Sequence, residues 1–294
     1  MSTVQPIGKA VIPVAGIGTR FFPVGKSVPK ALLPVLNKPL IEYAVEEAAH
    51  CGIKQVALVL GPGMDAVANH FTPQPDLYAT LEARGKAALA DELRAIDSIV
   101  SVERLRQDEP RGLGHAVLQA RDWVGDEPFA VILPDDLVVG GKPALEQLLE
   151  VYRRFGGNVL AAVRVPPRDI PSKGIVAGRP VGGGALEVTS IVEKPPLEEA
   201  PSDLSILGRY ILSPALFKHL EEHRIGAGGE IQITDAIQSA RATTKLHAVE
   251  VGGRHIDTGV PGGMLEAAMH QGLADLGMRA AMADFLGTEL GGGR

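Results

Sequence analysis

Short apolar runs alternate along the chain with longer stretches whose apolar residues recur every three or four positions. KAVIPV, residues 9–14, is a continuous apolar run that stops at a glycine-rich segment. KPLIEYAVEEAAHCG, residues 38–52, reads as a helix: its apolar residues fall on one side, Pro39 suits the first turn and Gly52 is a stop signal. QVALVLG (55–61) is a second buried strand, followed by GPG and a short helix through His70. Residues 75–96 predict one long helical stretch, with Leu77, Leu81, Leu89 and Leu93 at turn-related spacing. SIVSVERL, FAVILP and NVLAAVRV read as strands, separated by helical GLGHAVLQARDWV and KPALEQLLEVYRRFGG. This β-α-β-α alternation predicts an α/β fold, Rossmann-like, with a mainly parallel mixed sheet covered by helices on both faces. Ligands of such sheets bind beyond the carboxyl ends of the strands. AGIGTR and PDD both follow strands directly, so they are expected to converge at one mouth.

The texture changes near Pro166. RPVGGGALEVTSIVEKP alternates like a hairpin with a glycine turn, and SILGRYILS and KLHAVEV read as strands. PALFKHLEEH, GEIQITDAIQSA and residues 264–286 read as helices, with GGGR as a frayed end. No internal repeat or linker interrupts the chain, so a single domain over 1–294 is the simplest division.

Composition narrows the classes. The formal net charge is −6 and no dense Lys/Arg block occurs, which argues against nucleic-acid binding. No apolar run nears the ~20 residues that span a bilayer, and the start lacks a signal-peptide pattern. Cys51 is the only cysteine, so an internal disulfide or a Cys-based zinc site is excluded; the residue reads as a small core side chain near a helix end. A soluble, cytoplasmic protein with no membrane partner is the expectation.

Against this acidic background one stretch stands apart. AGIGTRFFPVGKSVPK, residues 15–30, carries three glycines, Arg20, Lys26 and Lys30, and no acid. A solvated connection needs the glycines but not three cations at close range; an anion with several charges needs both. The stretch is not the dinucleotide fingerprint, because Phe21 stands where a third glycine is expected, and it is not a P-loop. Asp135 and Asp136 in FAVILPDD are costly at the end of a buried strand unless a cation or donors meet them. DTG at 257–259 would by itself be a turn, or a fragment of an aspartic-protease signature, which a single copy in a parallel α/β pattern makes a poor fit.

Together with RQDEPRGLGHAV, PFAVILPDD, IVEKP, GRYILSP and GAGGEIQITDAI, the stretch from Ala15 to Ala48 resembles the sugar-1-phosphate nucleotidylyltransferases. The likeness runs from about Lys9 to Asp257. LPDD, GAGGEIQ and the helical insert at 77–93 resemble the branch that acts on UTP and glucose 1-phosphate rather than the thymidylyl branch. The resemblance implies a Mg²⁺-dependent transfer of a uridylyl group to glucose 1-phosphate and a homo-oligomer, dimer or tetramer. It implies a nucleotide-binding half to about residue 165, a sugar-binding half over about 166–260 and a helical tail beyond. It assigns Arg20, Lys30 and Lys194 to catalysis. It assigns Ala15, Gly16, Gly18, Lys26, Gln107, the Gly112 backbone and Asp136 to the nucleotide side. Glu193, Gly174 and Gly208 go to the sugar, and Asp135 and Asp257 to the metal. His115 is expected to pack or cap. Glu193 and Lys194 are strand neighbours, so their side chains are expected on opposite faces.

The chain also departs from the family. PKALLP lacks the acid of the usual PKEMLP, SKGIV lacks the tyrosine of SKYGIV, and GVPGG replaces a late acid and lysine. Three other readings stay open at this point. The sugar or the pyrimidine nucleotide could differ. The chain could be a catalytically silent paralogue, against which Arg20, Lys30, Asp135 and Lys194 stand. It could be a nicotinamide-dependent oxidoreductase, which the absent third glycine disfavours.

Overall fold

A computed structural model describes residues 4–222 and 229–291. The start of the GAGGEIQ block, His223 at the end of an expected helix and the terminus beyond Gly291 lie outside the described residues. The strand β1 (Lys9–Pro13) leads through three short 3-10 turns to the two-residue strands β2 (Pro34–Val35) and β3 (Lys38–Pro39) and the helix α1 (Leu40–His50). Pro39 caps α1 rather than opening its first turn, and Gly52 takes the left-handed conformation that ends it. β4 (Gln55–Leu60), α2 (Asp65–Asn69), α3 (Pro75–Ala83), α4 (Ala87–Asp97) and β5 (Ser101–Arg106) follow.

The expected single helix over 75–96 is two helices. Gly85 stands between them at φ 72°, and the chain reverses so that α3 packs on α4. Tyr78 and Ala90 face the contact, whereas Leu77 and Leu89 are exposed. Leucine spacing misled because the break removes the common helical phase. Next come α5 (Leu113–Leu118), α6 (Arg121–Val124), β6 (Phe129–Ile132), β7 (Asp136–Val139), α7 (Ala144–Phe155) and β8 (Asn158–Arg164). The hairpin β9 (Gly174–Gly182) and β10 (Ala185–Glu193) turns at Gly183 and Gly184, as its alternation predicts. The chain ends with β11 (Leu204–Leu212), α8 (Leu216–Glu222), α9 (Ile233–Ala240), β12 (Leu246–Glu250), β13 (Arg254–Asp257), α10 (Pro261–Ala274) and α11 (Leu276–Gly291).

Among the described residues nine strands form one mixed sheet in the order β5-β4-β1-β6-β11-β8-β12-β10-β9. β5, β4, β1 and β6 are parallel, as are β8 and β12; β11 runs antiparallel between β6 and β8. Alternation splits the core. Ala10 and Ile12 of β1 face α1, α2 and α7, while Val11 faces α5, α6, α8 and α9. A third cluster joins β2, β7, β13 and α10 through Val35, Leu137, Val139, Ile256 and Ala267. Both faces of the central strands are thus apolar and covered, which leaves the strand ends for ligands, and in such sheets the carboxyl ends serve. Cys51 is the C-cap of α1 and half-buried; burial, then Glu47 and Glu146, push its thiol up to about 12. Among the described residues no helix is long and apolar enough to cross a membrane.

Candidate active site

The rim at the carboxyl ends of β1, β4, β5 and β6 surrounds a cavity of 480 Å³. Ala15, Gly16 and Gly18 line one wall, Gln107 and Gly112 another, and Asp135 the floor. Gly61, after β4, lets the first loop lie close: a Cβ there would stand 3.1 Å from the Ala15 carbonyl oxygen. Gly18 is left-handed at φ 67° and opens a 3-10 turn that carries Arg20 outward. Ala31, in place of the family's acid, is buried in the cavity wall.

Two expected ends of the sequence meet here. Lys30 Nζ lies 2.5 Å from Asp135 Oδ2, across 105 residues of chain. Asp135 and Asp136 do not close β6, which ends at Ile132; the chain turns, and Asp136 begins β7. β7 pairs antiparallel with β13, in a register that sets Asp257 opposite Asp136. Thr258 then donates to the Asp135 carbonyl through both its backbone N–H and its hydroxyl, at 2.8 Å each.

These links bring both metal candidates to one point. A Cβ on Gly259 would sit 2.8 Å from Asp257 Oδ1, 3.0 Å from Asp135 Oδ2 and 3.8 Å from Arg20 Nη1. The absent side chain leaves a cradle between two carboxylate oxygens. Among the described residues no cluster of three acids, histidines or cysteines could enclose a metal. Two carboxylates with open positions fit magnesium, which takes oxygen ligands and keeps places for substrate phosphate. Gly263, in the GVPGG departure, has its own reason. A Cβ there would lie 1.9 Å from the Asp257 carbonyl oxygen, so glycine lets α10 begin directly beneath it. Lys173 Nζ approaches Asp257 Oδ2 at 3.3 Å, so each metal candidate has a lysine beside it. Lys26 is exposed, and neither it nor Arg20 lines the cavity itself.

A second, smaller cavity of 160 Å³ shares Leu113 and Leu133 with the first. Gly174, Glu193 and Gly208 line it, and so do Lys173, Thr234 and His255. Asp136, expected on the nucleotide side, lines this cavity instead. Its Oδ2 accepts the Gly208 N–H at 3.0 Å and its Oδ1 lies 2.6 Å from His255 Nε2. Burial works against the Asp136 carboxylate, but the His255 hydrogen bond and the charges of His255, Arg209 and Lys173 outweigh it. They hold the carboxyl below its usual range.

Glu193 and Lys194 also differ from expectation. Lys194 takes a left-handed backbone, φ 49°, where β10 ends, and this turn brings its Nζ to 3.7 Å from Glu193 Oε1. The strand rule for opposite faces stops applying at the last strand residue. Glu193 Oε2 accepts the Thr234 hydroxyl at 2.9 Å, which aims the carboxylate inward, while Lys194 stays outside the lining.

Arg209, Lys173, Thr234 and His255 escaped the sequence reading. Arg209 is buried, grips Glu47 through two nitrogens and donates to the Leu133 carbonyl, which fixes the turn before Asp135. His255 had a usable signal: it lies two residues before Asp257 on a strand, and so shares its face. Thr234 had none, since its role arises from α9 packing beside β10.

The sequence pattern of the family described as nucleotidyl transferase matches residues 9–272. A UTP–glucose-1-phosphate uridylyltransferase of Bacillus subtilis (strain 168) is 39% identical over 282 residues, 96% of this chain and 97% of that protein. The solved structure of a UTP-bound UGPase from Acinetobacter baumannii is 38% identical, covers 96% of this chain and 99% of its own, and has a TM-score of 0.87. A UDP-glucose pyrophosphorylase solved with UDP-glucose is 35% identical, covers 90% of this chain and 98% of its own, and has a TM-score of 0.82.

Proposed function

The chain belongs to the nucleotidyl transferase family, and from that premise we propose that it transfers the uridylyl group of UTP to glucose 1-phosphate, giving UDP-glucose and pyrophosphate. One observation carries the reading: two cavities share Leu113 and Leu133, and the adjacent Asp135 and Asp136 line one each. The larger ends at Gln107 and suits a nucleotide. The smaller ends at Glu193 and Thr234 and suits a hydroxyl-rich ring.

An oxygen of the sugar phosphate attacks the α-phosphorus in line, and the bond to pyrophosphate breaks with its electron pair leaving on pyrophosphate. The second pKa of such a phosphate is near ~6, so the nucleophile is already largely dianionic at neutral pH. No general base is required. The protein's task is to align two anions and neutralise their repulsion. Lys30 and Arg20 face the triphosphate, Arg20 with a fork that suits phosphate oxygens. Lys26 lies on the same loop and adds to the positive field. Lys173 and Lys194 flank the sugar side, and Glu193 accepts from sugar hydroxyls. The family generally uses a divalent metal; Mg²⁺, held by Asp135 and Asp257, would supply further positive charge to the phosphate oxygens.

The nucleotide falls to the half before about residue 165 and the sugar to the half over about 166–260, although Asp136 serves the second cavity from the first half. A cytoplasmic location would suit an enzyme of a nucleoside triphosphate and a sugar phosphate. Exposed Leu265, Leu273, Leu276 and Phe285 on α10 and α11 support the reading of a homo-oligomer.

The test is pyrophosphate release from purified protein with Mg²⁺, each nucleoside triphosphate and a panel of sugar 1-phosphates. UTP with glucose 1-phosphate is expected to give the highest kcat/KM. No release with any pair would overturn the reading.

A further inference from the structure

Gln107 is buried and lines the larger cavity, where a base would meet it. A side-chain amide has an accepting end and a donating end, so its orientation decides which base edge it matches. Uracil offers an N3–H donor between two carbonyl oxygens. Cytosine offers a bare N3 acceptor beside an amino group.

The Gln107 amide nitrogen is held twice. It donates to the Gly112 carbonyl at 3.1 Å and lies 2.9 Å from His115 Nδ1. A carbonyl oxygen only accepts, so the nitrogen is the end that faces this pair. His115 Nδ1 must then be the bare ring nitrogen, with the proton on Nε2. Nε2 lies 3.2 Å from the amide nitrogen of Gln119, which also donates to the His115 carbonyl at 3.2 Å. The shorter Gln107 contacts set the tautomer, and the half-buried Gln119 amide gives up that carbonyl to turn its oxygen toward the Nε2 proton. Burial, then the Arg111 charge, lowers the His115 pKa against the opposing pull of Glu109, which keeps the imidazole neutral. The Gly112 oxygen also accepts the Ala116 N–H at 3.1 Å, so Gly112 has only its N–H left to offer a base.

With both amide hydrogens spent, the Gln107 oxygen is the only part of that side chain left for a ligand. The geometry points to His115 as a positioning residue for base selection: it locks Gln107 oxygen-outward, so the site takes a pyrimidine bearing N3–H and rejects one with a bare N3. His115 does not itself line the cavity. Turning the amide to suit cytosine would press its oxygen against two acceptors, Gly112 O and His115 Nδ1. Without His115, only Gly112 opposes that turn.

The inference rests on the uridylyl reading above, and the experiment separates the two. Wild type, His115→Phe and His115→Asn are compared for the ratio of kcat/KM with UTP to that with CTP at saturating glucose 1-phosphate. Calorimetric Kd values for both nucleotides and a thermal melt accompany each variant. Phenylalanine keeps a ring and deletes the acceptor, and the UTP-to-CTP ratio is expected to fall about tenfold, one hydrogen bond's worth. Asparagine sets an oxygen where Nδ1 stood and should restore most of the ratio. If the phenylalanine variant does not fold, His115→Leu takes its place with the same expectation. An unchanged ratio, or the same ratio in the asparagine and acceptor-free variants, would overturn the role of His115 while leaving the uridylyl reading intact. A wild type that prefers CTP, or neither pyrimidine, would overturn that reading.

Discussion

Gly259 lacks a side chain at the point where Asp135 and Asp257 converge, which leaves the cradle proposed for Mg²⁺ open. In Gly259→Ala the methyl would stand 2.8 Å from Asp257 Oδ1 and 3.0 Å from Asp135 Oδ2. Both neighbours are carboxylate tips, so the fold can yield while the cradle fills. The variant should melt within a few degrees of wild type, yet its Mg²⁺ requirement for half-maximal pyrophosphate release should rise at least about tenfold, the scale of a disturbed metal site. Arg20→Ala tests the cation beside that point. It is exposed and anchors no core, so kcat should fall about a hundredfold with little change in melting temperature. Asp136 gives a pH test. Its folded pKa lies below the ordinary 3.8, so the stability from its pairing is full above that value and is lost as pH falls through the lowered one. Asp136→Asn should therefore melt lower than wild type at pH 7, and the gap should narrow as the pH falls below 3.8. Of these residues, Arg20 stands out in the sequence as a cation in an acid-free loop, and Asp135 and Asp136 as acids after a buried strand, whereas Asp257 comes only from the family resemblance. The sequence could not place Asp136 in the second cavity, because that depends on where β7 turns and on His255 reaching it from β13.

At the scale of elements, apolar runs located the central sheet strands, because these are buried on both faces and read as continuous stretches, whereas the edge strand β5 is largely exposed. Helix extents were less legible. Gly85 divided one predicted helix into α3 and α4, since a left-handed glycine is as much a stop as a tolerated interior residue. Strand order was not legible at all. β11 enters between β6 and β8 from late in the chain, and only there does it carry Arg209 to the Leu133 turn and Gly208 to Asp136. Gly208 makes that approach possible, for a Cβ would lie 2.5 Å from both Leu133 Cβ and Asp136 Oδ2. Gly208→Ala should lose about 2 kcal/mol of stability in urea unfolding through overpacking. Its KM for glucose 1-phosphate should rise more than its KM for UTP, because the strain falls on the wall of the smaller cavity.

At the scale of the whole molecule, a net charge of −6 must still gather two anionic substrates. The fold answers locally. The carboxyl ends of β1 and β6 bring Lys30 to Asp135, and β13 with the segment before β9 brings Lys173 to Asp257. Positive groups thus stand beside the carboxylates, where phosphates and a divalent ion would exchange partners with them. The most direct measurement is a crystal structure of the wild-type protein with UTP and Mn²⁺, read from the anomalous signal of the manganese. The account predicts a manganese peak between Asp135 and Asp257, the uracil against Gln107 and the triphosphate within reach of Arg20 and Lys30. A peak bound elsewhere, or a base seated in the smaller cavity beside Glu193, would contradict it.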